Sequence, residues 1–128
     1  MATWATLRSI TRGLPELEEQ SPRDWRVRNR MVVWERPLRP ADHDALGDAA
    51  PTGAIIGIRV SDEGVKHALV ADSPDVYFTT PHFDGYAAVL VRLAAISRPE
   101  LEEIVTEAWM DRAPRRLVKA WLAHRDGE

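Results

Sequence analysis

Residues 76–93 read VYFTTPHFDGYAAVLVRL, and this stretch decides the fold. Two runs rich in β-branched and aromatic residues flank Asp84-Gly85, a dipeptide typical of two-residue hairpin turns. Such a turn predicts a positive φ at Gly85 and a strand register in which Phe78 lies opposite Val91. Alternation along the strands then places five apolar residues on the expected core face: Val76, Phe78, Val89, Val91 and Leu93.

A second hairpin is predicted closer to the N-terminus. Residues 25–28 alternate between apolar and basic side chains, as a half-buried strand does, and residues 31–36 return as its partner. The segment Arg28-Asn29-Arg30 is typical of a tight turn, because Asn tolerates the left-handed conformation. Residues 54–60, AIIGIRV, form a continuous β-branched run that indicates a fully buried strand.

Helices are predicted before, between and after these strands. Thr3 is a suitable cap for a first helix, which ends near Gly13, and Ser61 is a suitable cap for a later one. A capping box at Ser97 starts a long helix, and Pro114 separates it from the last. Its expected buried stripe is Leu101, Ile104, Val105, Ala108 and Trp109. This order predicts an α+β fold with a single antiparallel sheet and flanking helices, in one domain over residues 1–128.

The composition excludes several kinds of protein and of site. The chain has 128 residues, 45% hydrophobic and 29% charged, which is ordinary for a globular domain. It has no cysteine, so disulfides, thiol catalysis and thiolate metal sites are excluded. No apolar run approaches the roughly 20 residues of a membrane helix, and the N-terminus lacks the pattern of a signal peptide. The cytoplasm is therefore the expected location, and membrane partners are not expected.

Charge is segregated along the chain, although the net charge is only −3. Residues 1–40 contain eight arginines and five carboxylates, and residues 41–111 contain four basic and thirteen acidic groups. Residues 112–128 are again basic, with five basic and two acidic groups. The two ends together can form a basic face that steers a polyanion. Solvated surface charge without a partner explains the same pattern equally well.

Several motifs resemble the MmcQ/YjbR-like family. The central one is FTTPHFDGY at residues 78–86, followed by VLVRL at residues 89–93. Three flanking segments are also similar: residues 14–16, residues 34–38, and residues 108–114. Asn29 occupies a turn where the family often has glycine. The resemblance implies an α+β fold with one antiparallel sheet. It also implies a DNA-binding label, which rests on fold analogy with a double-wing nucleic-acid-binding domain, while the same architecture resembles secretion-chaperone-like protein-binding folds.

The candidate nucleic-acid-binding residues are basic side chains near the two ends of the chain. The first hairpin, tipped by Arg-Asn-Arg, has the shape of a wing that contacts a groove or phosphates. A second basic group lies near Pro114, beginning with Arg112. The predicted contacts to double-stranded DNA are Arg26, Arg28, Arg30, Arg115, Arg116 and Lys119. The alternative is a module that binds a protein or a small ligand.

No pattern of catalytic residues accompanies these candidates. The chain has no Gly-x-Ser-x-Gly elbow and no Gly-rich phosphate loop, so we expect a non-enzymatic protein without cofactor or metal. His82 and Asp84 are spaced as a possible metal pair, but a third ligand is not near them in sequence, and a structural bond from His82 to backbone or Glu35 is expected. The acidic residues 16–19 are expected to be a solvated surface at a helix end.

The five tryptophans allow two interpretations. Trp4, Trp109 and Trp121 lie on apolar helical stripes and are expected in the core. Trp25 and Trp34 lie on strands beside arginines. They are either a platform on which bases stack, as in single-strand binders, or ordinary sheet packing beneath a helix.

Overall fold

In the part of the chain that the structure describes, a six-stranded antiparallel sheet packs with five α-helices, which confirms the predicted α+β class. The computed structural model describes residues 1–126, with side chains described through Arg125. The strand order across the sheet is β1-β2-β3-β4-β6-β5. Within residues 1–126, every helix is too short or too polar to cross a membrane. The elements in chain order are α1 (Trp4–Arg12), β1 (Leu17–Ser21), β2 (Asp24–Val27), β3 (Arg30–Glu35), α2 (Pro40–Leu46), β4 (Ile55–Arg59), α3 (Glu63–Asp72), β5 (Tyr77–Phe78), β6 (Ala88–Arg92), α4 (Arg98–Arg112) and α5 (Arg115–Asp126).

The first hairpin forms as predicted. Strands β2 and β3 pair antiparallel, and Val27 lies opposite Arg30 across the turn. The two turn residues, Arg28 and Asn29, have φ of 49° and 67°. Two successive positive φ values are the signature of a type I′ turn, whose twist matches that of the flanking strands.

The acidic stretch before this hairpin is a strand rather than a helix end, so its predicted setting is wrong, whereas the predicted exposure of Glu16, Glu18 and Glu19 is confirmed. Strand β1 lies at the edge of the sheet and pairs with β2. Leu17 alone in this strand is buried, while the other four residues are exposed. An edge strand needs only one apolar anchor when its neighbour supplies the hydrogen bonds, so its sequence lacks the expected alternation. The preceding Glu16 has φ of 59°, which turns the chain into the strand.

The connection at Asp84-Gly85 is not a two-residue hairpin turn. Strand β5 has only two residues, and a 3-10 turn over Pro81–Phe83 lies between it and β6. Tyr77 pairs with Val91 and Phe78 with Leu90, which is one residue away from the predicted register. Pro81 has no N–H to donate to a ladder, so pairing cannot continue toward the glycine. The prediction of positive φ at Gly85 is confirmed, with a value of 78°.

The register shift exchanges two side chains between the faces of the sheet. Tyr77 faces the main core and is 2% exposed, whereas Phe78 faces the opposite side. We call the side covered by α1, α3 and α4 the first face and the opposite side the second face. The other predicted core residues, Val76, Val89, Val91 and Leu93, do lie in the core of the first face.

Trp109 is the centre of the first face, as its position on the helical stripe predicts. Its side chain is fully buried on α4, and the indole Nε1 donates to the carbonyl of Pro15 at 2.9 Å. The ring of Trp121 on α5 packs edge-on against it, with 5.2 Å between centroids. Trp25 of β2 is buried in the same core, so it serves packing and not base stacking.

The second face carries a smaller apolar cluster made of Ile55, Phe78, Phe83, Ala88 and Leu90. Trp34 of β3 packs beside it and lies opposite Gly57 of β4. A Cβ built at Gly57 would lie 2.5 Å from the indole of Trp34, so the ring rests directly on the backbone of β4. Glycine is required here by close approach, which explains the interruption of an otherwise β-branched strand.

A buried lysine holds the loop between β5 and β6. Lys66 on α3 is 1% exposed, and its Nζ donates to the carbonyls of Phe83 at 2.7 Å and Tyr86 at 2.8 Å. Its third partner is the Glu63 carboxylate, at 2.7 Å from Nζ. One ammonium therefore satisfies two carbonyls of a loop that has no strand partner, and the Glu63 carboxylate balances its charge.

A buried ion pair fastens α2 to the second face. Arg36 and Asp42 are 3.0 Å apart, and their side chains are 5% and 4% exposed. Arg36 also donates to the carbonyl of Pro37, and the backbone N–H of Arg39 donates to Asp42 at 2.9 Å. Burial raises the pKa of Asp42, but the Arg39 N–H and the Arg36 guanidinium outweigh it and hold the pKa below its usual value.

Replacing Lys66 with Met should destabilise the protein by about 3 kcal/mol, because two buried carbonyls lose their donors and a carboxylate loses its partner. Urea denaturation followed by circular dichroism measures this. His67→Met is the matched control, since His67 contacts the same Glu63 from an exposed position. Equal denaturation midpoints for the two variants would contradict the role given to Lys66.

The Arg36–Asp42 pair should make stability depend on pH in the acid range. Because the folded pKa of Asp42 is lowered, the pair stabilises the protein above the unfolded pKa of about 4 and loses this contribution as pH falls through the folded value. The unfolding free energies of the wild type and Asp42→Asn should therefore differ at neutral pH and converge below about pH 4. A difference that stays constant with pH would exclude this assignment.

Candidate nucleic-acid interface

Two of the three predicted hairpin arginines are paired with carboxylates. Arg26 contacts Asp24 on its own strand, with Nε and Oδ1 3.2 Å apart. Arg28 donates two hydrogen bonds to Glu16, from Nε to Oε1 and from Nη2 to Oε2, the second at 3.2 Å. The hydrogen bond and charge of Arg28 lower the pKa of Glu16, and Glu16 raises the pKa of Arg28 in turn. Arg28 is thus neutralised within the chain, although the pair is exposed and readily exchanged.

Arg30, the third, belongs to a group of arginines with no such partner. It begins β3, is exposed, and makes no ion pair with any residue that the structure describes. Arg30 is close enough to Arg112, at the end of α4, for the two positive charges to repel. Burial lowers the pKa of Arg112, and repulsion from Arg59 and Arg30 lowers it further. We call Arg30, Arg59 and Arg112 the arginine cluster.

The arginine cluster concentrates positive charge that no ion pair among the described residues neutralises, and the nearby charge of Asp111 offsets only part of the repulsion on Arg112. Arg112 is half-buried, and its Nε finds no hydrogen-bond partner among the described residues. Arg59, at the end of β4, donates to the carbonyl of Ala87 at 3.0 Å and to the hydroxyl of Tyr86 at 3.1 Å. Neither of these partners carries a negative charge, so the cluster is an electrostatic site prepared for an anion.

The predicted cations of α5 follow the cluster residue Arg112 closely in sequence. Arg115, Arg116 and Lys119 are exposed, and none forms an ion pair within the described part of the chain. Arg115 follows Arg112 by three residues, and Lys119 lies one turn further on the same face of the helix as Arg115. Arg116 is turned about 100° away from that face.

An aromatic pocket of about 330 Å³ lies on the second face. Its base is Trp34, the half-buried tryptophan that rests on Gly57. Tyr86 is 41% exposed, and the exposed ring of His82 meets Phe83 edge-on at 5.0 Å. The lining residues of this aromatic pocket are Met31, Trp34, Arg36, Arg39, His82, Phe83 and Tyr86.

Among the described residues, the His82 side chain makes neither the expected bond to backbone nor the one to Glu35, so that prediction is wrong. Glu35 accepts a hydrogen bond from Arg23 at 3.1 Å instead. His82 lies in the 3-10 turn, and its ring is exposed beside the aromatic pocket. Within residues 1–126, no group of three or more His, Asp or Glu side chains is arranged to hold a metal ion.

Tyr86 connects the arginine cluster with the aromatic pocket. The guanidinium of Arg59 lies 4.6 Å from the centre of the Tyr86 ring and also bonds its hydroxyl. Tyr86 itself lines the pocket. The cluster and the pocket are therefore adjoining parts of one surface.

A groove of opposite charge runs between α3 and α4 on the first face. It encloses about 530 Å³, and apolar side chains including Val65, Leu69 and Ile104 line it. Tyr77 donates to Glu100 at 2.5 Å within it, and burial together with Glu100 raises the pKa of Tyr77. We call this the acidic groove, after its lining carboxylates Asp72, Glu100, Glu103, Glu107 and Asp111.

Sequence reasoning found some of these residues and missed others. It selected Arg30, Arg115, Arg116 and Lys119, which remain free of ion pairs in the described chain. It missed Arg59, because an arginine closing a buried strand looks like a simple strand end. It also missed the aromatic pocket as a whole, whose lining comes from β3, the connection between β3 and α2, and the loop before β6. The available signal was Trp34, a strand tryptophan beside arginines that the sequence allows to be either a stacking residue or sheet packing.

Comparisons with known proteins found relatives of this chain and a matching family. The chain is 59% identical to the uncharacterized protein Mb2600 of Mycobacterium bovis, over 97% of this chain and 98% of that protein. The same values hold for the uncharacterized protein Rv2570 of Mycobacterium tuberculosis. No solved structure matches the chain. The model of the YjbR family matches residues 12–110, which include the first hairpin, the motif loop and nearly all of α4. The chain therefore belongs to the YjbR family.

Proposed function

We propose that this protein is a non-enzymatic nucleic-acid-binding protein, with double-stranded DNA as the first target. The observation that carries this proposal is the arginine cluster, in which Arg59 and Arg30 both repel the guanidinium of Arg112. Arg112 also keeps a buried Nε that is unbonded among the described residues. Phosphate oxygens supply both the negative charge and the acceptors that this arrangement lacks. Binding would then relieve a repulsion that the free protein carries.

The contact surface extends along α5. Arg115 and Lys119 share the face of α5 that begins beside Arg112, so phosphates along one strand can be met in succession. Such contacts release counterions, and each neutralised phosphate contributes a slope of about −0.9 to the dependence of log affinity on log salt. Binding by the cluster and α5 together should thus be weak at physiological salt and strong in dilute buffer.

The acidic groove constrains how a duplex can approach. Arg59 lines one end of the groove, and the carboxylates of α4 run from Asp111 away toward Glu100. Like charge keeps phosphates away from this flank, so the duplex would lie over the hairpin tip and the α4–α5 corner. This separation also explains how a chain of net charge −3 can hold a polyanion.

The acidic groove itself favours a second function, binding of a protein partner. Apolar side chains form its floor, with Val65 37% exposed, and five carboxylates surround them. The complementary partner is a cationic amphipathic helix, which buries its apolar face on the floor and pairs its lysines or arginines with the rim.

The cytoplasm is the proposed location of this activity. The absence of cysteine fits a reducing compartment, and nucleic acid is available there.

Reversing the charge of Arg30 and Arg115 together, to glutamate, should weaken binding to random duplex DNA and reduce the salt slope by about 2, because two phosphate contacts are lost. Fluorescence anisotropy across a salt series measures both quantities. The control is Arg12→Glu with Arg98→Glu, which makes the same change in net charge at other exposed positions. Equal weakening in both double variants, or no wild-type binding in dilute buffer, would refute the proposal.

Replacing Glu103 and Glu107 with lysine should abolish binding of a synthetic amphipathic helix of leucine and lysine, because the rim then repels it. Isothermal titration calorimetry measures the affinity. Asp44→Lys with Asp48→Lys serves as control, since both residues are exposed near α2, outside the groove. Undiminished binding by the Glu103/Glu107 variant would exclude the acidic groove as the docking surface.

A further inference from the structure

The base of the aromatic pocket is a flat ring held from below. The indole of Trp34 rests on Gly57, so a larger residue at that position would displace it. Phe78 and Leu90 belong to the apolar cluster against which Trp34 packs. The part of the Trp34 side chain that stays exposed borders the pocket. A tryptophan fixed in this way loses little entropy when another ring stacks on it.

The walls of the pocket are also rings, and they are preformed. Phe83 is 5% exposed, and the ring of Tyr86 lies 6.2 Å from it at an angle of 40°. Lys66 bonds the carbonyls of these same two residues, so the walls are fixed at the backbone. The Arg36 guanidinium, which lies 5.2 Å from the centre of Phe83, supports the wall from behind.

The charge of the pocket selects an anion. Its seven lining residues include two arginines and a histidine but no carboxylate. Arg36 forms an ion pair with Asp42. Arg39 is exposed, and its side chain makes no ion pair among the described residues. Arg39 is thus the guanidinium available to a ligand, and it stands at the rim beside the aromatic base.

The size of the pocket limits the ligand. A volume of about 330 Å³ is at the lower end of the range for small-molecule sites. One nucleic-acid base with its sugar fits such a space, while two stacked bases do not. A base inside a duplex is paired and stacked on both sides, so its ring face is not accessible to a side chain.

From these features we propose that the aromatic pocket binds a single nucleotide, with the base stacked on Trp34 and the phosphate held by Arg39. The nucleotide is either free or an unpaired unit of a single strand, since both present the same ring and phosphate. The polymer form rests on the proposed function, because the adjoining arginine cluster would hold the following phosphates. The free form does not require it.

The test titrates the full-length protein with four probes: adenosine 5′-monophosphate, adenosine, a short single-stranded oligodeoxyadenylate, and the blunt duplex of that strand. Isothermal titration calorimetry gives the affinities. Removing the stacking ring with Trp34→Leu should weaken binding of the mononucleotide or the strand by about tenfold or more. Arg39→Ala should weaken the monophosphate and leave adenosine unchanged, which separates the phosphate contact from the stacking contact.

Two controls and a second pocket variant keep the test decisive if Trp34→Leu is poorly folded. Tyr86→Ala removes an exposed wall and should weaken the same probes. Trp4→Leu removes a half-buried tryptophan on α1, and Arg98→Ala an exposed arginine elsewhere; neither should have an effect. Pocket-dependent binding of the monophosphate assigns the site to free nucleotides, and pocket-dependent binding of the strand alone assigns it to a polymer.

The two proposals fail in different ways. Duplex binding that Arg30 and Arg115 reversal removes, without any pocket-dependent binding of monophosphate or strand, overturns the nucleotide site and leaves the proposed function standing. Pocket-dependent binding of the monophosphate without duplex binding overturns the proposed function and leaves the nucleotide site standing. Binding of either probe that is unchanged in the Trp34, Tyr86 and Arg39 variants also overturns the nucleotide site.

Discussion

The ammonium of Lys66 is the interaction on which the rest of the second face depends. It reaches from α3 to the carbonyls of Phe83 and Tyr86, in a loop that no strand supports. Phe83 is the buried wall of the aromatic pocket and Tyr86 its exposed one. Tyr86 also holds Arg59 through its ring and hydroxyl, so one buried cation orders the pocket and part of the arginine cluster.

The same constraint explains why the motif loop is not a hairpin. A two-residue turn at Asp84-Gly85 would place the carbonyls of this segment in a β-ladder. Pro81 interrupts the ladder, and Lys66 then satisfies the carbonyls that remain. The ion pair of Arg36 with Asp42 fastens α2 beside the loop in a similar way. Both devices use buried charge, which is costly unless fully paired and so favours a single arrangement.

Local chemistry made part of the fold predictable. The type I′ turn at Arg28-Asn29, the buried strand β4 and the core position of Trp109 all follow from residues close in sequence. The short strand β5 was placed one residue out of register, because its pairing is decided by Pro81 and by a lysine on another element. Strand β1 was missed, because its pairing with β2 holds it at the sheet edge with Leu17 as its only buried residue.

The candidate site was only half predictable for a related reason. The sequence indicates that single residues such as Arg30 and Arg115 are basic and exposed. It does not indicate which side chains surround them in the fold. Arg28 is neutralised by Glu16, twelve positions away in sequence. The charge of Arg59 acts on Arg112, which is distant from it in sequence. Sequence charge alone cannot tell a paired arginine from an unpaired one, so it could not separate Arg28 from Arg30.

The central claim is that the arginine cluster and the aromatic pocket form one surface for nucleic acid. The most direct measurement is nuclear magnetic resonance of the arginine Nε–H and tryptophan indole N–H groups during titration with a single-stranded oligonucleotide. We expect the signals of Arg30, Arg59, Arg112 and Trp34 to shift together. The indole signals of the buried Trp25 and Trp109 should stay unchanged. Shifts confined to groups outside this surface, or no shifts in dilute buffer, would contradict it.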